Sequence, residues 1–229
     1  MPISLVGSTT QDPTAAVTTL SSGMPPGVAA GDLVAFAILT NTTTIPAAPS
    51  GYTLITSVGN STIGLGVWYK FAASSSEPAP STTQTAFRAT SATLVYRGVD
   101  STTPIDVAAG TSTLGTTAVA VPARTPLTAG AWDIAIGSML TTAANTTTWS
   151  STNLVLDQPS ISNVAGSNNP AFVVGHFAWT SGAFTPNITK SATSTRTIGT
   201  HFVLRAAADA SVPRNTFVST TTLARSATR

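Results

Sequence analysis

The sequence predicts an all-β fold, an antiparallel β-sandwich of jelly-roll-like form with an extended C-terminal arm. Three observations carry that prediction. Segments rich in Val, Ile, Leu, Phe, Tyr and Trp recur between clusters of Gly, Pro, Ser, Thr and Asn, which is the spacing of short strands and their turns. No window of useful length places apolar residues at i, i+3, i+4 and i+7, the helical signature. The 15 prolines and 17 glycines fall mostly between the apolar segments, where they end strands and exclude long helices.

Taken in order, strands are expected at 3–6, 15–20, 32–40, 52–58, 63–72, 92–99, 117–121, 132–141, 154–157, 171–179, 187–190 and 197–205. The 32–40 segment is apolar at nearly every position, with Leu33, Ala35, Ala37 and Leu39 facing one way and Val34, Phe36 and Ile38 the other. Such a strand is covered on both faces, by its own chain or by a subunit contact. The 63–72 segment alternates instead. Ile63, Leu65, Val67, Tyr69 and Phe71 form one apolar face, and Gly64, Gly66, Trp68 and Lys70 form a face expected to be wet. The last strand is expected to turn Ile198, Phe202 and Leu204 inward and Thr197, His201 and Arg205 outward. Ala30–Leu39 and Ala129–Ser138 echo each other, each opening on a small residue and Gly after a proline-containing loop. That echo fits equivalent strands in the two halves of one sandwich.

Composition narrows the function. The chain has 229 residues, of which 42% are hydrophobic and 8% charged, with a formal net charge of +2. Disordered chains combine low hydrophobicity with high net charge, so this one folds, and its length suffices for a core without covalent staples. Threonine, serine and asparagine replace the usual charged surface. The absence of cysteine excludes a disulfide framework, a cysteine nucleophile and a thiolate metal site. The opening Met1–Val6 carries no basic or long apolar leader, and no run approaches a membrane span, so neither secretion signal nor anchor is expected.

Charge divides the chain into a body, 1–205, and an arm, 206–229. From Arg205 onward four basic residues face one acid, a balance of +3, whereas the preceding six basic and seven acidic residues sum to −1. The body lacks the basic patch of a nucleic-acid binder. In the arm, Val212, Phe217, Val218 and Leu223 are too few apolar anchors to fold alone. Phe217, Val218 and Leu223, with Arg214, Arg225 and Arg229, form the expected partner-binding set, suited to strand addition on another subunit.

Catalytic chemistry finds little support. His176 and His201 sit in expected strands without a second ligand at metal spacing, and read as locally satisfied histidines. No Gly-x-Ser-x-Gly elbow occurs, and the simplest hydrolase would need Asp133, His176 and His201 to converge. Of the eight acids, Asp12, Asp32, Asp100 and Asp106 occupy turn-like positions. Gly64-Leu65-Gly66 lacks the third glycine and helix of a phosphate loop, and reads as a place of close contact. The 100–106 segment is no EF-hand, and the four Asn-x-Ser/Thr matches are those expected by chance in so Thr-rich a chain. No catalytic residue, cofactor or metal is therefore expected. Trp68, on the expected wet face, and Trp149, in a Thr/Ser loop, are the candidates for a subunit interface or for stacking on a glycan.

Gly31–Phe36, Pro49–Leu54, Val67–Ala72 and Leu94–Asp100, in that order over about residues 30–205, resemble the β-sandwich virion proteins of tailed bacteriophages, the capsid decoration and minor tail type. The resemblance implies a non-enzymatic structural role on the outer surface of a capsid or tail, after synthesis in the host cytoplasm. It implies the major capsid protein or other virion subunits as partners, a homo-oligomer with a trimer favoured, and neither nucleic acid nor membrane. The alternative expectation is a tail-associated or surface carbohydrate-binding module that contacts a host glycan.

Overall fold

The computed structural model describes residues 1–13, 15–60, 62–113, 118–141, 147–157, 161, 162, 169–192, 194 and 196–208. Among them all regular structure is strand, and no helix is long and apolar enough to cross a membrane. The first half supplies β1 (Ser4–Gln11), β2 (Val17–Leu20), β3 (Leu33–Thr40), β4 (Thr53–Asn60), β5 (Ile63–Phe71), β6 (Thr82–Phe87) and β7 (Ala89–Arg97). The second supplies β8 (Ile105–Ser112), β9 (Ala118–Val119), β10 (Trp132–Leu140), β11 (Trp149–Ser150), β12 (Val155–Leu156), β13 (Ile161–Ser162), β14 (Pro170–Ala178), β15 (Ile188–Lys190) and β16 (Thr197–Leu204).

Two sheets form the sandwich, in the orders β1-β7-β3-β5-β4 and β12-β14-β10-β16-β8, with β13 also pairing β14. Every pairing is antiparallel. The jelly-roll-like qualifier is not confirmed, because each sheet draws its strands from one contiguous half of the chain.

Read from β8, the second sheet runs β8-β16-β10-β14-β12, which reproduces the first strand for strand. The flanking ribbons follow suit. β2 pairs β6 beside the first sheet, and β9 pairs β15, joined by β11, beside the second. The echoing segments are thus β3 and β10, the middle strand of each sheet. Both are entered through a glycine of positive φ, Gly31 at 86° and Gly130 at 77°. Their backbone bonds also match, Asp32 N–H donating to Ala29 O and Ala131 N–H donating to Thr128 O. The halves meet where Val99 bridges Ala206 and Ala207 N–H donates to Gly98 O.

Between the sheets lies the main core, which includes Leu33, Leu39, Leu65, Leu94 and Tyr96 from one side and Ile134, Ile136, Phe172 and Phe202 from the other. Burial of these side chains is the main source of stability, each contributing roughly 1.5–3 kcal/mol. The outer faces are covered too. Leu20, Phe36, Ile38, Trp68 and Ala89 cluster over the first sheet, and Val119, Val121, Ala135, Met139, Trp149, Val173 and Ile188 over the second. The molecule is therefore four layers deep, a ribbon on each side of a two-sheet sandwich. β3 is buried at all eight positions by its own chain, one of the two arrangements its sequence allows.

Candidate functional site

Trp68 is not on a wet face. It is 3% exposed and packs with Phe36 at a ring-centroid distance of 6.5 Å, beneath Leu20 of the β2–β6 ribbon and Ile45. Gly66 makes room for it, since a Cβ there would lie 2.2 Å from the indole. Trp149 is 8% exposed and belongs to the outer cluster of the second sheet. Both indoles are buried by their own chain. β16 does turn Ile198, Phe202 and Leu204 into the main core, and Thr197 and His201, on the opposite face, are fully buried as well.

The structure brings Asp133 and His201 together and leaves His176 apart. Asp133 and His201 lie on the outer face of the second sheet, where His201 Nε2 is 2.8 Å from Asp133 Oδ1 and Nδ1 is 2.9 Å from the Pro122 carbonyl oxygen. Both ring nitrogens face acceptors, so the two contacts need a proton on each nitrogen, or one on the ring and one on the carboxyl. Phe184 closes over the ring edge-on, and both side chains are 0% exposed. This pair is sealed from substrate.

His176 projects to the inner face, stacked flat on Trp132 at 4.0 Å and hydrogen-bonded through Nδ1 to Asp157 Oδ1. Tyr96 of the opposite sheet donates to Asp157 Oδ2 at 3.2 Å. Burial, reinforced by the Asp157 charge, pushes the Tyr96 phenol well above its ordinary pKa. The cluster ties the two sheets at one end, and the histidine is locally satisfied as its neighbours in sequence suggested.

Asp32, Glu77, Asp100 and Asp106 serve the structure. Asp32 accepts Ala29 N–H and a two-pronged contact from Arg97. Asp100 caps its own turn through the Thr102 and Thr103 amides, which lower its pKa. Asp106 feels burial most, which pushes its pKa up. Donation from the Thr128 hydroxyl and the Leu127 and Thr128 amides, with the Arg205 charge, outweighs this and holds it below its ordinary value. Glu77 is lowered chiefly by its bond to Lys70 at 2.5 Å, then by the Ala73 amide. Among the described residues no group of three or more His, Cys, Asp or Glu could hold a metal ion.

Concavities are shallow in chemistry. One of about 520 Å³ lies beside Asp100, Thr128, Arg205 and Ala206, at the end where the arm leaves the body. Another of about 350 Å³ is lined by Tyr52, Lys70, Glu77 and three prolines.

No family model, curated protein or solved structure matches this chain.

The two sheets of the sandwich end at four edge strands, β1, β4, β8 and β12. β1 is flanked by the 21–25 segment, with Ser21 N–H bonded to Gln11 and Pro25 lying over Gly7. Beside β8, Arg124 fills the space over Gly110, and Asp106 binds the 127–128 amides. β12 is only two residues long. β4 differs from all of these. It has eight residues, none charged, and pairs with β5 on one side alone. Among the described residues nothing outside β5 donates a hydrogen bond to it or accepts one from it. The signal was present in the sequence as a charge-free strand but carried no reason to call it an edge.

Of the predicted arm set, Arg214, Phe217, Val218, Leu223, Arg225 and Arg229 lie outside the described residues. The root of the arm, 206–208, stays paired to the body through Gly98 and Val99.

Proposed function

We propose that this chain is a non-enzymatic virion structural protein, a capsid decoration (cement) protein that binds the outer surface of a phage capsid and bridges neighbouring subunits. The observation that carries the reading is where its ionisable groups go. Asp32, Glu77, Asp100, Asp106, Asp133 and Asp157, with both histidines, are engaged in bonds within the body. What remains outside is a hydroxyl-rich, weakly charged surface, which loses little hydration energy on forming a broad contact. The resemblance of the strand-start motifs to phage virion proteins supports the same role, with the capsid subunit as partner and a trimer as the favoured oligomer. The alternative carbohydrate-binding reading loses both of its stacking side chains to burial.

Deleting residues 209–229 is expected to abolish attachment to capsids while the body keeps its unfolding midpoint. Occupancy on purified particles, read by gel densitometry beside a denaturant titration, checks this. Undiminished occupancy of a folded truncated chain would overturn the reading.

A further inference from the structure

We propose that the free edge of β4 receives residues 216–223 of a second copy of this chain as an added strand, closing copies into a ring. The inference rests on the reading of 206–229 as a partner-binding arm and names what that arm meets.

An unprotected edge offers a row of backbone donors and acceptors, and proteins normally blunt it with charge, proline, a covering segment or brevity. β1, β8 and β12 are each blunted in one of these ways, as described above. β4 carries a bulge between Leu54 and Thr56 and has Thr43 against Gly59 at its far end, yet Thr53, Leu54, Ser57 and Gly59 stay exposed and Leu54 is 52% accessible. An edge so exposed fits an occupant that brings its own backbone groups.

The arm contains a segment of matching length and chemistry. Thr216–Leu223 is eight residues long, uncharged, and rich in β-branched side chains. Arg214 and Arg225 bracket it.

Geometry selects another copy over the same one. Thr53 pairs Tyr69, and Leu33 pairs both Phe71 and Tyr96, so β4 begins at the end of the sandwich where β7 finishes. Ala206 bridges Val99 at that same end. An arm returning to its own β4 would run parallel to it, in a sheet whose other pairings are all antiparallel, and parallel pairing is slightly weaker per residue. To run antiparallel it would first have to cross the four strand spacings from β7 to the far side of β4, about 19 Å, and travel the strand's length, about 24 Å over seven steps, which is about 31 Å in a straight line. The eight steps from residue 208 to residue 216 span at most roughly 29 Å. A neighbour's arm has neither restriction. Arm-to-edge exchange is a head-to-tail contact, which closes into a ring when the rotation permits.

The cysteine-free sequence makes the test clean. Full-length Ser57→Cys chain is mixed with full-length Ser219→Cys, Thr220→Cys or Thr221→Cys chain under mild oxidation. A disulfide-linked heterodimer with at least one of the three is expected. The native chain should also run as an oligomer by light scattering and the 1–208 chain as a monomer. Self-linking of Ser57→Cys alone would instead show edge-to-edge pairing, and an intramolecular link in a Ser57→Cys/Thr220→Cys chain would show self-capping. Either result, or no link at all, overturns the proposal. None of these readouts involves particles, so failure of the decoration reading registers separately.

Discussion

Trp68→Ala is expected to lower the stability of the folded chain by about 3–5 kcal/mol, the usual cost of emptying a tryptophan site in a core. The indole is held on all sides, by Phe36 and Ile38 of the sheet, by Leu20 and Ala89, and by Ile45 from the following loop. The backbone beneath cannot move in to fill the vacancy, because Gly66 already provides the closest approach available. Urea unfolding followed by far-ultraviolet circular dichroism reads the effect. A loss under 1 kcal/mol would mean that the ribbon does not cover the sheet in solution, and would restore Trp68 as a surface residue.

His201→Ala is expected to cost a similar amount, about 3–5 kcal/mol, because it leaves a buried carboxylate without its partner. Asp133 is 0% exposed, and its Oδ2 has no hydrogen-bond partner among the described residues, so nothing else compensates it. The duplicated strand order supplies the control. Asp133 and His201 correspond by register to Val34 and Thr93 in the first half, where no charge is buried at these places. The double variant Asp133→Val/His201→Thr should therefore recover most of the lost stability, since a buried pair exchanged for well-packed neutral residues is often no worse than the original. A double variant as unstable as His201→Ala would refute the correspondence between the halves.

Much of this architecture was legible in the residues. The inner strands announced themselves by unbroken or alternating apolar runs, and β3, β5, β10, β14 and β16 fall within two residues or so of their expected bounds. Four strands were missed; β11 and β13 are only two residues long, and the longer two have physical reasons. β6 is Thr82-Thr83-Gln84-Thr85-Ala86-Phe87, held by backbone pairing to β2 and by the Gln84 amide, with no apolar alternation to reveal it. β8 hides behind Asp106, Ala108, Ala109 and Gly110, small or polar residues that an edge strand tolerates.

The error over Trp68 has the same root. A face of Gly64, Gly66, Trp68 and Lys70 looks wet when judged by polarity, yet its glycines were the sign that something lay close above. Contacts between distant residues were out of reach altogether. Asp133 and His201 are 68 positions apart, and Asp157 and Tyr96 are 61 apart, so only the fold shows that these groups meet.

The self-contained character of each half has an engineering consequence. Each sheet and the main pairing of its ribbon come from one uninterrupted stretch of sequence, and the amino end lies beside the root of the arm, with the Met1 ammonium 3.2 Å from Ala207 O. A circularly permuted gene, opened in the exposed 101–103 turn and joined from residue 208 to residue 1, would keep every strand next to its present neighbours. Such a protein would lack residues 209–229 and carry its new ends at a turn beside Arg205, whose backbone bonds both Asp100 and Pro104.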